Sequence, residues 1–217
     1  MRALVIGASG GIGAALVQAL SLQGEVVTLS RSGDGLDITD EASIARLMAK
    51  LEPSFERIVI ATGALAGPGQ APEKSLRALE AGQIMAQFAL NAMGPALVLK
   101  HALRLLPRDR AAQVGVLSAR VGSIGDNALG GWYSYRASKA ALNQMIHTAA
   151  IEIARSHPLA VVACLHPGTV ATAFTADYAA EKVTAAVAAD RLLAVLDGLT
   201  PRQSGGFYDW AGREVPW

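Results

Sequence analysis

The stretch Ala3-Leu4-Val5-Ile6-Gly7-Ala8-Ser9-Gly10-Gly11-Ile12-Gly13-Ala14-Ala15-Leu16-Val17 decides the fold of this chain. It begins with an apolar run typical of a buried strand and ends in a run typical of a helix. The glycine-rich turn between them can take positive φ and lets a ligand approach without a Cβ in the way. Backbone N–H groups at the start of the helix would point at a phosphate, with the positive end of the helix dipole behind them. The stretch therefore predicts a dinucleotide pyrophosphate site, with the spacing G-x-x-x-G-x-G instead of G-x-G-x-x-G.

Strand and helix patterns alternate along the rest of the chain, which predicts βαβ units and a parallel sheet. The predicted strands are residues 3–6, 25–29, 57–61, 113–117 and 160–165, and short runs at 36–38 and 206–209 add edge strands. The predicted helices are residues 12–22, 41–51, 83–105, 133–156 and 179–196. We expect one α/β domain over residues 1–217, a Rossmann-type doubly wound parallel sheet of about seven strands with helices on both faces.

Composition narrows the class of protein further. The formal net charge is +1, and no basic cluster suggests a nucleic-acid surface. No apolar stretch reaches the roughly 18 residues of a membrane span, and no cleavable signal precedes the first strand, so we expect a cytoplasmic protein. Cys164 lies in an apolar run and is interpreted as a buried structural thiol. Because His101, His147 and His157 show no ligand spacing, we predict no metal site.

A second pattern, Tyr135-Arg136-Ala137-Ser138-Lys139, opens the fourth predicted helix. Tyr135 and Lys139 are four residues apart, so their side chains lie on one helix face. A phenol with an ordinary pKa of about 10 is a poor proton donor near neutral pH, and a neighbouring ammonium brings its pKa toward the working range. Alone the pair is weak, but after a glycine-rich first turn it indicates acid–base chemistry.

With these landmarks the chain resembles the short-chain dehydrogenase/reductase family over essentially all of its length. The landmarks in order are Gly7 to Gly13, Asp37, Asn91, Tyr135 to Lys139, and Pro167-Gly168-Thr169-Val170-Ala171-Thr172. The stretch Gly130-Gly131-Trp132-Tyr133-Ser134-Tyr135-Arg136 and the ending Phe207-Tyr208-Asp209-Trp210 are similar to the subgroup of C-factor-like and sniffer-type carbonyl reductases.

The resemblance implies a role for each landmark. Tyr135 is the acid–base group, Lys139 lowers its pKa and holds the nicotinamide ribose, and Asn91 holds a water of the proton relay. The backbone of Val170 and the hydroxyl of Thr172 bind the nicotinamide carboxamide. The other cofactor contacts expected on this basis are Gly7, Ser9, Gly10, Gly11, Ile12, Gly13, Ala61, Thr62, Gly63, Pro167 and Gly168. Asn-Ala-Gly, usual in the family, is Ala61-Thr62-Gly63 here, which removes one side-chain contact.

The end of the second strand bears on the choice of cofactor. An acid there would hold the 2′-hydroxyl of NAD, whereas this chain has Ser30-Arg31-Ser32. Arg31 can clamp a 2′-phosphate with help from Ser30, so we expect NADP(H) over NAD(H); the alternative for Arg31 is a solvated surface residue. Asp37 and Ile38 match the family's adenine-contacting pair, although Asp37 can equally begin a turn.

The catalytic serine is the least certain assignment. In the family it is the second of two serines that end the fifth strand, and that position is Ala119 here. Ser123 lies twelve residues before Tyr135 and nearly restores the usual spacing, whereas Ser118 keeps the strand-end location. We favour Ser123, with Ser118 as the alternative.

These observations predict an NADP-dependent oxidoreductase that transfers hydride between nicotinamide and a carbonyl or alcohol, most simply a carbonyl reductase. The expected partner is a small-molecule substrate, with no nucleic acid and no membrane, in a homo-oligomer for which a dimer is preferred. The rival is a nucleotide-binding signalling or interaction protein that keeps the fold without turnover. An extended sugar-nucleotide epimerase is disfavoured because the chain lacks an additional substrate domain.

Overall fold

The computed structural model describes residues 1–67, 69–175 and 181–217. Within these ranges one sheet of six parallel strands is formed by β1 (Arg2–Ile6), β2 (Glu25–Leu29), β3 (Arg57–Ile60), β4 (Ala112–Leu117), β5 (Ala160–His166) and β6 (Phe207–Asp209). Their order is β2-β1-β3-β4-β5-β6, so the direction of winding reverses between β1 and β3. In open α/β sheets such a reversal creates a ligand-binding crevice at the carboxyl ends of the strands.

Helices cover both faces of this sheet. They are α1 (Gly11–Ser21), α2 (Arg31–Asp34), α3 (Glu41–Met48), α4 (Ala81–Phe88), α5 (Gly94–Ala102), α6 (Tyr133–Ser156) and α7 (Ala185–Gly198). Alternate side chains of β1 enter different cores: Ala3 and Val5 pack with residues of α1 and α7, whereas Leu4 and Ile6 pack with residues of α3, α5 and α6. Because β1 is buried on both faces, its sequence is continuously apolar. The doubly wound α/β prediction is confirmed.

The predicted helix 83–105 is divided by one turn of π-helix, Ala89–Met93. Pro95 has no N–H, and its ring would crowd the carbonyl of Asn91 in a regular α-helix. The wider turn, in which the Gly94 N–H bonds to the Ala89 carbonyl, relieves that conflict. The predicted site residue Asn91 therefore lies on an irregular turn of the helix.

The expected edge strand at 36–38 does not form, and the sheet has six strands instead of about seven. Leu36 and Ile38 are buried and Asp37 is exposed, which is the alternation that suggested a strand. Their backbone donors are used locally instead. The Leu36 N–H bonds to the Ser30 carbonyl, and the Asp37 N–H bonds to the Ser43 hydroxyl.

Other boundaries shift by a few residues. The helix expected over 41–51 ends at Met48. The last helix begins at Ala185, where the Thr184 hydroxyl accepts a hydrogen bond from the Val187 N–H. The part of the predicted helix at 179–180 lies outside the described residues. Among the helices in the described ranges, no helix has the length and apolarity to cross a membrane.

Candidate active site

A cavity of about 550 Å³ opens at the carboxyl ends of β1, β3, β4 and β5. Its walls come from separate parts of the chain: the glycine-rich turn, residues 61–63, residues 117–121, α6, and the segment after β5. Of the predicted site residues, those that line it are Gly10, Gly11, Ile12, Gly13, Ala61, Thr62, Gly63, Tyr135, Lys139, Pro167, Gly168, Val170 and Thr172. The cavity thus lies in the crevice that the strand order predicts.

The glycine-rich turn is packed too tightly for larger residues. Gly7 has φ +84°, and its N–H donates to the Leu29 carbonyl at 2.8 Å. A Cβ on Gly13 would lie 2.1 Å from the Gly7 carbonyl oxygen, so the start of α1 rests directly on the turn. A Cβ on Gly11 would lie 2.6 Å from the Thr172 side chain. The turn and the segment after β5 therefore approach each other across the cavity mouth.

Tyr135 and Lys139 lie on one face of the first turns of α6, and both are almost completely buried. The Lys139 ammonium lies 6.0 Å from the centre of the Tyr135 ring and donates to the Leu117 carbonyl at 2.9 Å. Burial lowers the pKa of Lys139 from 10.5 to about 8, so the side chain keeps its charge at neutral pH and loses it above about pH 8. The Tyr135 ring is also flanked by Trp132 and Phe174, with centroids 6.3 and 6.0 Å away.

Asn91 approaches the same place from the π-turn and is fully buried. Its side chain accepts from the Ala64 N–H and donates to the Ala64 carbonyl, both at 2.9 Å. It also donates to the Ser138 hydroxyl at 3.2 Å. A Cβ on Gly63 would lie 3.1 Å from the Asn91 Oδ1 and 3.3 Å from the Lys139 Nζ. Asn91, Lys139 and Gly63 therefore converge, although the Asn91 side chain lies behind the cavity wall.

The segment after β5 forms the opposite wall. Gly168 has φ +78°, and a Cβ there would lie 3.0 Å from the Trp210 ring. The Ala171 N–H bonds to the Val183 carbonyl at 2.8 Å, and the Thr175 hydroxyl donates to the Val170 carbonyl. These contacts fix the backbone of the predicted carboxamide-binding residues.

A second groove of about 490 Å³, lined in part by Ser9, Ser30 and Ser32, lies beside the glycine-rich turn. Arg31 is exposed and does not line this groove, and no ion pair of its guanidinium is found in the described part of the chain. The carboxylate of Asp34 folds back to accept the Ser30 N–H at 2.8 Å. This acid could not be recognised from the sequence pattern, because it lies five residues beyond Leu29, the last residue of β2.

Asp37 and Ile38 line neither the cavity nor the groove. The Asp37 carboxylate accepts from the hydroxyl and the N–H of Thr39, and these bonds lower its pKa. Ile38 packs into the core against Gly94, where a Cβ would meet the Ile38 carbonyl at 2.7 Å. Asp37 therefore forms the turn that was the alternative reading of its sequence context.

The two candidate serines occupy different environments. Ser123 is buried outside the cavity, and its hydroxyl accepts from the Asp126 N–H at 3.1 Å. Ser118 lines the cavity, and its hydroxyl donates to the Asn143 Oδ1 at 2.6 Å. Ala119 lines the cavity beside it. Ser118, and not the favoured Ser123, therefore lines the same cavity as Tyr135 and Lys139.

Sequence analysis missed several residues of the cavity wall, including Trp132, Phe174, Arg120 and His166. His166 ends β5, and burial lowers its pKa from 6.5 to about 4. Trp132 precedes α6 with φ +53°, and the Gly130-Gly131 pair before it was the available sequence signal for an unusual turn.

A doubly wound sheet with a glycine-rich turn and a buried Tyr–Lys pair in its crevice defines a nicotinamide-dependent oxidoreductase. The family model for short chain dehydrogenase matches residues 1–183, and the chain belongs to that family. It therefore acts on C=O or CH–OH groups.

Relatives and solved structures extend the match over the whole chain. A 1-hydroxy-2-glutathionyl-2-methyl-3-butene dehydrogenase of Rhodococcus sp. (strain AD45) is 34% identical, over 99% of this chain and 98% of the relative. The structure of the carbonyl reductase Sniffer of D. melanogaster has a TM-score of 0.85 at 21% identity, over 100% of this chain and 99% of its own. A Burkholderia multivorans short-chain dehydrogenase/reductase with bound NADP has a TM-score of 0.82 at 24% identity, with the same coverage. At such identities the two structural matches show the shared fold.

Proposed function

We propose that this protein is an NADP-dependent carbonyl reductase in which Tyr135 donates a proton to the carbonyl oxygen of the substrate. The observation that carries the proposal is the convergence of Tyr135, Lys139 and Asn91 beside Gly63 at the wall of the crevice. A buried phenol beside a buried ammonium is costly for stability alone, and such groups cluster at catalytic sites.

The residues present fit a nicotinamide dinucleotide. The turn at Gly10–Gly13 would receive the pyrophosphate, and the lack of a Cβ at Gly63 would let a ribose approach the wall beside the Lys139 ammonium. Residues 167–172 would orient the nicotinamide. When bound, the cofactor supplies or accepts the hydride.

The proton chemistry belongs to the protein. Tyr135 holds the proton at its phenolic oxygen, and the Lys139 ammonium favours the phenolate left after transfer. Because the pKa of Lys139 is about 8, this assistance is present at neutral pH and is lost as the pH rises through that value in the free protein. Asn91 would fix the loop that borders the ribose through its two bonds to Ala64.

The preference for NADP(H) is supported by Arg31, whose guanidinium has no ion-pair partner among the described residues, and by the serines of the adjacent groove. Arginine suits the bidentate recognition of a phosphate. The structural neighbour from Burkholderia multivorans has NADP bound. Asp34 works against the preference, because its carboxylate lies beside Ser30. Arg31 and Asp34 are thus the pair whose balance sets the choice of cofactor.

Ser118 is the better candidate for the group that orients the carbonyl, since it lines the cavity with Tyr135. Its hydroxyl oxygen can still accept a hydrogen bond, but the hydroxyl proton is donated to the Asn143 Oδ1. A role of Ser118 as donor to the carbonyl therefore needs its proton released, by rotation of the hydroxyl or by a flip of the Asn143 amide, whose Nδ2 is buried without a partner among the described residues.

The test is a screen of NADPH oxidation over a panel of aldehydes and ketones, with the reverse reaction measured on alcohols. The panel should include a glutathionyl-substituted alcohol, because the Rhodococcus relative bears that substrate in its name. We expect turnover with NADPH that exceeds turnover with NADH. Tight cofactor binding without turnover of any compound would instead favour the nucleotide-binding signalling protein.

The remaining predictions concern the state of the protein. We propose a homo-oligomer, because Met85 on α4 and Met145 and Ile151 on α6 are exposed apolar residues. A monomer at micromolar concentration in light scattering would contradict this.

The single domain over 1–217 and the cytoplasmic location also remain proposals.

A further inference from the structure

The connection from β3 to α4 contains a buried carboxylate, Glu73, which the proposed chemistry does not use. The residue is 4% exposed, and its side chain lies against the start of α6. The carboxylate accepts two hydrogen bonds from Ser134, one from the hydroxyl and one from the N–H at 3.3 Å. The backbone carbonyl of Glu73 accepts the Trp132 N–H. One residue therefore holds the chain on both sides of Tyr133, immediately before Tyr135.

Helix α6 lacks a cap of its own. Trp132 occupies the N-cap position, where it offers no side-chain oxygen to the N–H groups of the first turn. It follows Gly130 and Gly131, so three consecutive residues have φ between +53° and +68°. Trp132 is a bulky residue at positive φ, a conformation that persists only where surrounding contacts hold it. The Glu73 carboxylate supplies the missing acceptor and places a negative charge at the positive end of the helix dipole.

We propose that Glu73 is a positioning residue for Tyr135, acting as a cap for α6 supplied from a distant part of the chain. Tyr135 follows Ser134 directly, and its ring meets Trp132 edge to face at 6.3 Å. Ser134 and Trp132 are both hydrogen-bonded to Glu73. The connection that bears Gly63, beside Asn91 and Lys139, therefore also fixes the turn that bears the proton donor.

The electrostatic setting supports this role. Across the described residues Glu73 forms no ion pair with a lysine, arginine or histidine, so the helix N-terminus and the Ser134 donors balance its charge. Because a buried carboxylate without such compensation is costly, these contacts hold Glu73 at the start of α6.

The role rests on the proposed function, and the experiment separates the two. Glu73→Ala and Glu73→Gln are compared with Glu80→Gln, a control in the same connection whose exposed side chain does not cap α4. We expect Glu73→Ala to lower kcat about tenfold with an unchanged NADPH Kd, because a small displacement of a catalytic group is costly. Glu73→Gln keeps neutral hydrogen bonds and should show a smaller loss, and Glu80→Gln none.

Two further readouts distinguish positioning from a general loss of structure. The solvent isotope effect on kcat should rise in Glu73→Ala, because proton delivery by a misplaced Tyr135 becomes slower. Amide hydrogen exchange at Ser134 and Tyr135 should become faster. If Glu73→Ala does not fold, the same changes in Glu73→Gln decide the question.

Normal kcat and isotope effect in a folded Glu73 variant would overturn the positioning role and leave the proposed function standing. A fall in kcat that only follows the folded fraction, with the isotope effect unchanged, would also overturn it. If the wild-type protein reduces no carbonyl, the proposed function fails. In that case hydrogen exchange decides alone, and unchanged exchange at Ser134 and Tyr135 overturns the role of Glu73.

Discussion

Tyr135 is the residue on which the proposed chemistry depends, and its replacement by phenylalanine isolates one atom. Tyr135→Phe keeps the ring that packs between Trp132 and Phe174 and removes only the hydroxyl. We expect kcat to fall by about 10²–10⁴, the usual contribution of general acid catalysis, with the NADPH Kd and the unfolding midpoint little changed. Steady-state kinetics and a fluorescence titration of NADPH test this, and a wild-type kcat in the variant would refute the assignment.

The two candidate serines differ in their surroundings, which the sequence interval alone does not show. Counting back from Tyr135 favours Ser123, but residues 120–122 form a 3₁₀ turn that buries Ser123 against Asp126. We therefore expect Ser118→Ala to lower kcat/KM more than Ser123→Ala does.

The two serine variants should also differ in their free energy of unfolding. Ser118→Ala leaves the Asn143 Oδ1 without its hydrogen bond and should cost about 1–3 kcal/mol, whereas Ser123→Ala loses one ordinary bond of about 1 kcal/mol. Urea unfolding of both variants gives these values. Loss of kcat/KM in Ser123→Ala alone would restore the sequence-based assignment.

At the scale of elements, we propose that the turn from β2 into α2 sets the choice of cofactor. We expect Arg31→Asp to weaken NADPH about ten- to hundredfold, because it removes a charge-assisted hydrogen bond and adds repulsion. Asp34→Asn keeps the shape of the acceptor beside Ser30 and removes its charge, so it should tighten NADPH. Fluorescence titrations with both cofactors measure the preference. If the ratio of the Kd for NADPH to the Kd for NADH does not change in either variant, other residues recognise the 2′-phosphate.

Elements with a strong local pattern could be predicted closely from the sequence. Helix α6 begins and ends at the predicted residues 133 and 156, and β2 matches residues 25–29. The strand at 36–38 was wrong because its apolar alternation serves a turn whose donors bond to Ser30 and Ser43. The predicted helix over 83–105 did not include the π-turn at Asn91, which interrupts it. Glu73 could not be found, because its partner Ser134 is 61 residues away and no local pattern connects them.

At the scale of the whole molecule, burial of a histidine at the carboxyl ends of the strands should make the protein more stable at neutral than at acidic pH. His166, at the end of β5, faces Asp209 and Arg120, and burial lowers its pKa from 6.5 to about 4. Between these two values the unfolded chain binds a proton that the native protein does not. The free energy of unfolding should therefore decrease as the pH falls from about 6.5 to 4, with about 3 kcal/mol contributed by His166. His157, whose pKa burial also lowers, adds to the decrease in the same direction.

His166→Asn tests this directly, because asparagine keeps a polar side chain at the strand end and does not titrate. We expect urea unfolding of the wild type to become easier between pH 6.5 and 4, and the variant to lose most of that slope. The pKa of Asp209 is lowered, mainly by its hydrogen bonds to Arg213. Its contribution to stability is therefore lost only at more acidic pH, and it is the same in the wild type and the variant. If the free energy of unfolding of the two proteins falls in parallel over this pH range, His166 is not the buried group that limits stability in acid.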